Sequence, residues 1–168
     1  MNKSSLTNMI TSFSRMPKTS RLWIFQSNRK FLKNELPEIS TSIKIFLEKW
    51  ISHGRDLTCS FQIKYDRFII IALDESSVAA SGCSIDSCIQ FIQSIETKYK
   101  VDLLDKMNIT FKQGKFFTYK TISEFKDLIK NKSVTKNTIV FNNLVTDIKD
   151  FSKNWEVPAK KSWHNRYF

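Results

Sequence analysis

The sequence predicts an α+β fold: one domain with a mixed or antiparallel sheet and three or four helices. Three observations carry that expectation. Alternating or continuous runs of β-branched and aromatic residues are interspersed with runs of helical period. The first six runs come in the order β-α-β-β-α-β, the order of a ferredoxin-like core, here followed by a C-terminal extension. The composition, 41% hydrophobic with 14 Phe among 168 residues, supplies a core of the size such a domain needs.

Residues 1–20 are rich in Ser, Thr, Asn and Lys and are expected to form a disordered basic tail, a composition that also suits a transit peptide. The domain then spans 21–168. Arg21 to Gln26 reads as the first strand. Asn34 offers an N-cap, and Pro37 falls in a first turn, where its missing N–H costs nothing. Leu36, Ile39, Ile43, Phe46, Leu47 and Trp50 recur at helical spacing, and Gly54 is expected to stop the helix. Cys59, Phe61, Ile63 and Tyr65 alternate with polar residues as on a half-buried strand. After a turn at Asp66, Arg67 to Leu73 is almost continuously apolar, as in a central strand.

A polar loop follows, and Ser84 is expected to cap a second helix with Asp86 in its first turn, where a negative charge complements the dipole. Ile85, Cys88, Ile89, Ile92, Ile95 and Tyr99 form its apolar stripe. Residues 108–113 and 115–119 read as two strands joined at Gln113-Gly114. Thr121 and Glu124 spell a capping box before Ile122, Phe125, Leu128 and Ile129. A strand over 138–141 and a short helix capped by Thr146 complete the pattern. The tail from Trp155 is aromatic and irregular, and packing against the body is the expected fate of its rings.

The chain carries 27 Lys and Arg against 16 Asp and Glu, a net charge of +11. That balance attracts phosphate polymers, anionic lipid or acidic proteins. No run is long and apolar enough to span a bilayer, and no secretory h-region opens the sequence, so no membrane association is expected. Three cysteines, Cys59, Cys83 and Cys88, are read as reduced thiols in a cytoplasm. With only Gly54, Gly82 and Gly114, neither a phosphate-cradling loop nor a dinucleotide fingerprint can be built. Two histidines and no paired Cys-x-x-Cys leave no structural zinc site, and no cofactor is expected.

The densest polar segment runs from Asp74 to Cys88. Asp74, Glu75 and Asp86 offer carboxylates for a divalent metal, while Ser81, Ser84 and neighbouring backbone N–H groups offer anion contacts. Each also has a structural explanation as a turn or cap residue. Cys83 stands at a helix start, where a thiol gains nucleophilicity. Asp74 and Glu75 oppose that effect, and no histidine is placed beside it by sequence, so a buried or inert thiol is expected. Lys160, Lys161, Trp163 and Arg166 interleave bases and aromatics in a way that suits stacking on nucleobases and neutralising phosphates. Arg29, Lys30 and Lys33 are further candidates for phosphate contacts.

Several segments together resemble a known family: Arg21–Arg29 (RLWIFQSNR), Phe61–Ile69, Leu73–Glu75, Ala80–Asp86 (ASGCSID), Val140–Val145 (VFNNLV), and Trp155 through Phe168. They are similar to a group of short bacterial proteins that automatic naming often labels ABC transporter ATPases. The label implies ATP hydrolysis, which the missing Walker loop excludes. The resemblance implies a shortlist: the 74–86 loop, Asn142-Asn143 and the Trp163–Arg166 segment, which would share one cleft if the tail folded over the second helix. The reading that follows is a small basic cytoplasmic protein binding RNA or a ribonucleoprotein. The alternatives are a metal- or thiol-dependent enzyme built on Asp74, Glu75 and Asp86, and a protein–protein adaptor.

Overall fold

A computed structural model describes residues 10–168. Its fold is α+β, with four helices and three antiparallel sheets among the described residues. The chain divides into two compact units, one up to Leu104 and one from Asp105.

In the first unit, strands β1 (Arg21–Gln26), β4 (Thr58–Lys64) and β5 (Phe68–Asp74) form a sheet in the order β1-β5-β4. The register pairs Phe25 with Ile69, Trp23 with Ile71, and Cys59 with Leu73, so these side chains share one face. Helices α1 (Glu35–Glu48) and α2 (Gly82–Tyr99) cover that face. Ile39, Ile43 and Leu47 of α1, and Cys88, Ile92 and Ile95 of α2, complete its core. Every side chain from Phe68 to Leu73 is buried, as the continuous apolar run predicts. Between α1 and β4 a two-residue hairpin turn joins β2 (Ile51–Ser52) to β3 (Arg55–Asp56).

The second unit holds a four-stranded sheet in the order β7-β6-β8-β9, from β6 (Asn108–Gln113), β7 (Phe116–Thr121), β8 (Ile139–Phe141) and β9 (Glu156–Pro158). Helix α3 (Ile122–Lys130) drives Phe125 into a core with Ile109, Phe111, Val134, Val140 and Ala159. Helix α4 (Ile148–Asn154) precedes β9, and two short 3-10 turns end the chain.

Several expectations are corrected. The ferredoxin-like core does not form. β1 and β4 do flank β5 in the split β-α-β manner, but the strand at 108–113 pairs with β7 and β8 instead of closing the first sheet. The chain leaving α2 is diverted first: Lys100 turns in the left-handed region, and the Glu96 carboxylate accepts the N–H groups of Leu103 and Leu104. Gly54 is not the stop of α1, which ends at Glu48. His53 and Gly54, at φ of 51° and 74°, form the β2–β3 turn, where two left-handed residues match the strand twist. Asn34 makes no capping hydrogen bond. Ser81, not Ser84, caps α2, so Asp86 falls beyond the first turn; Asp147, not Thr146, caps α4. The Thr121–Glu124 capping box is present as predicted. Of the tail expected over 1–20, residues 1–9 lie outside the described residues. Residues 10–20 are placed: the Thr11 N–H donates to the Cys59 carbonyl, and Met16 is buried.

Candidate functional site

The loop after β5 is held by its own carboxylates. Asp74 accepts the Ser76 N–H, and Glu75 accepts the Ala80 N–H while pairing with Arg21 at 3.7 Å. Asp86 is exposed on α2. Among the described residues no three His, Cys, Asp or Glu side chains are grouped to hold a metal, so Asp74, Glu75 and Asp86 do not make the cluster expected of them. The serines are likewise engaged. The Ser81 hydroxyl accepts the Ser84 N–H, the Ser84 hydroxyl accepts the Ser81 N–H, and the Ser87 hydroxyl donates to the Ser84 carbonyl. That carbonyl also accepts the Trp50 indole N–H at 2.8 Å, which ties the start of α2 to the chain just beyond α1.

This tie frames a cleft of about 710 Å³ within the first unit. It is lined by the apolar side chains of Ile45, Phe46, Trp50, Ile51 and Phe91 and by the polar residues Ser81, Cys83, Ser84, Ser87, Lys49 and His53. Phe46 and Phe91 stack in parallel at 4.4 Å, locking α1 to α2 beneath it. Cys83 is exposed here, so of the buried or inert thiol expected, burial is ruled out. Cys59 and Cys88 are buried, and loss of hydration pushes both thiols up to about 12. His53, which sequence could not place near Cys83, lines the same cleft. The sequence signal for this site is Ile45 and Ile51. Both are apolar, lie off the predicted stripe, and remain 48% and 47% exposed.

The other candidates divide by role. Arg29 is structural: its guanidinium grips both Glu35 carboxylate oxygens at 2.8 and 2.9 Å and donates to the last carbonyl of α2, Tyr99. Arg29 is therefore already engaged by Glu35 and Tyr99, whereas Lys30 and Lys33 are exposed. Asn142 and Asn143 are also structural. The Asn142 side chain accepts the Leu144 N–H, and Asn143 accepts the Trp155 indole N–H at 2.9 Å. Trp155 itself is wedged between Phe141 and Phe151.

In the second unit the aromatic tail packs. Phe125 meets His164, Tyr167 and Phe168 edge-on, and Trp163 stacks on His164 at 3.9 Å. Burial is the main cause, with Arg166 adding to it, that lowers the His164 pKa to about 4. Over this packed layer the Arg166 guanidinium lies 5.7 Å from the Trp163 ring and the Lys126 ammonium 5.2 Å from Tyr167. Lys160, Lys161 and Arg166 are exposed. The 74–86 loop and the Asn142, Trp163 and Arg166 group fall in different units. No family model, curated protein or solved structure matches the chain. No helix of the described residues is long and apolar enough to cross a membrane.

Proposed function

We propose that this is a cytoplasmic nucleic-acid-binding protein with RNA as its partner, contacted through the second unit. The observation that carries the reading is charge placement. From Asp105 onward there are 13 Lys and Arg against 6 Asp and Glu, so this 64-residue stretch holds most of the net charge of +11. The bases sit among aromatics. Arg166 and Lys126 lie over Trp163 and Tyr167, and at the β6–β7 hairpin Lys115 adjoins Phe116, which is 75% exposed. Cationic groups neutralise phosphates, while ring faces accept stacked bases irrespective of sequence.

The test is anisotropy of a labelled single-stranded oligouridylate over a salt series. Affinity falls log-linearly with salt, by about 0.7 of a log unit per phosphate contact for each tenfold rise. Replacing Lys160, Lys161 and Arg166 together by Glu weakens binding at least about tenfold and flattens the slope. Absence of binding at about 50 mM salt, or a flat salt dependence, overturns the proposal.

A further inference from the structure

From the cleft in the first unit we infer a binding site for a small amphipathic acid, a molecule with an apolar body and one anionic head. The volume of about 710 Å³ falls within the range of small-molecule sites. Five apolar side chains line the cleft, and two of them, Ile45 and Ile51, stay roughly half exposed although their neighbours are packed. Lys49 and His53 also line it, Lys49 bringing a positive charge, and no Asp or Glu does. The first turn of α2 faces the same space through Ser81, Cys83 and Ser84. Ser81 satisfies the Ser84 N–H, which leaves the N–H groups of Gly82 and Cys83 without intrahelical acceptors. A cation beside unfilled donors, with no carboxylate to oppose them, selects an anion, and the stacked Phe46 and Phe91 with Trp50 select the apolar remainder. The inference uses no residue of the second unit, so it stands or falls independently of RNA binding.

The chain supplies its own reporter. Cys83 is the exposed thiol in the cleft, while Cys59 and Cys88 are buried. Octanoate, 1-octanol and octylamine are compared by calorimetry and by protection of Cys83 from iodoacetamide. Octanoate is expected to bind about tenfold or more tightly than octanol, with octylamine weakest, and to slow Cys83 alkylation. Lys49→Gln removes the advantage of octanoate over octanol, and Ile45→Glu abolishes binding of both. Both replaced side chains are exposed, and circular dichroism checks that the variants fold. Equal affinity for octanoate and octanol overturns the inference, as does octanoate binding that Ile45→Glu leaves unchanged, or no binding at millimolar acid. A concentration-dependent dimer dispersed by Ile45→Glu also overturns it, because the cleft is then an interface between copies.

Discussion

Arg29 shows how one residue's neighbours decide its role. As a base in an acid-free stretch it reads as a phosphate contact, yet its guanidinium closes a bidentate pair with Glu35 and caps the end of α2. The Arg29 hydrogen bond is the main reason the Glu35 carboxyl lies below the usual carboxylate range, with the Leu32 N–H helping. Glu35 is nearly buried, so removing its partner leaves a carboxylate with little water around it. Arg29→Ala is expected to cost about 2 kcal/mol in a urea melt at neutral pH, with the partial exposure of Arg29 keeping the loss moderate. The same variant with Glu35→Gln recovers part of that loss, because no orphaned charge remains; a double-mutant cycle measures the coupling.

At the scale of elements, caps and turns carry the local specification. Helix α2 begins where Ser81 and Ser84 exchange hydrogen bonds, one turn before the predicted cap. Both serines are chemically competent, and only the path of the preceding loop chooses between them. Glu75, by accepting the Ala80 N–H, sets that path. Ser81→Ala is expected to destabilise the protein by about 1 kcal/mol, and Asn34→Ala, which removes no capping bond, by much less. Thermal or urea unfolding of the two variants checks the contrast. The same logic explains Gly54. As a glycine after a helical run it reads as a helix stop, but its positive φ serves the β2–β3 turn, and Ile51, His53 and Gly54 of that hairpin line the cleft. Periodicity found α1, β1, β4, β5, α2, β6, β7 and α3 because each has an apolar face repeated often enough to read. It missed β2, β3 and β9, the last inside the tail read as irregular, because two or three residues show no period.

Across the whole molecule, acid is expected to lower stability over two pH windows. His164 is buried against Phe125 and Trp163, and its folded pKa of about 4 lies below the ordinary 6.5. The unfolded chain therefore takes up a proton first. The stability this contributes is fully present above pH 6.5 and is lost as pH falls towards 4, by about 3 kcal/mol in total. Glu35 follows. Its folded pKa lies below the ordinary 4.5, so its contribution is present above that value and disappears as pH falls through the lowered one. Urea melts between neutral pH and pH 4 measure the first window, and His164→Gln is expected to flatten it. An NMR titration in which the His164 ring shifts near pH 6.5 would contradict the burial argument.

What the sequence determined by itself was local: the α+β class, most elements, the Thr121–Glu124 cap, the central β5 run, and the lack of any phosphate-cradling loop. These depend on period, capping chemistry and glycine count, all carried by neighbours in the chain. Tertiary structure alone decided which strand joins which sheet, that Arg29, Asn142 and Asn143 are already hydrogen-bonded to other parts of the chain, and that Lys49, His53 and Cys83 share a cleft. The sheet pairings, the Arg29–Tyr99 bond and the shared cleft depend on contacts between segments tens of residues apart. Nothing local encodes a partner at that separation, because hydrophobic burial rewards any complementary face and only the completed packing selects one.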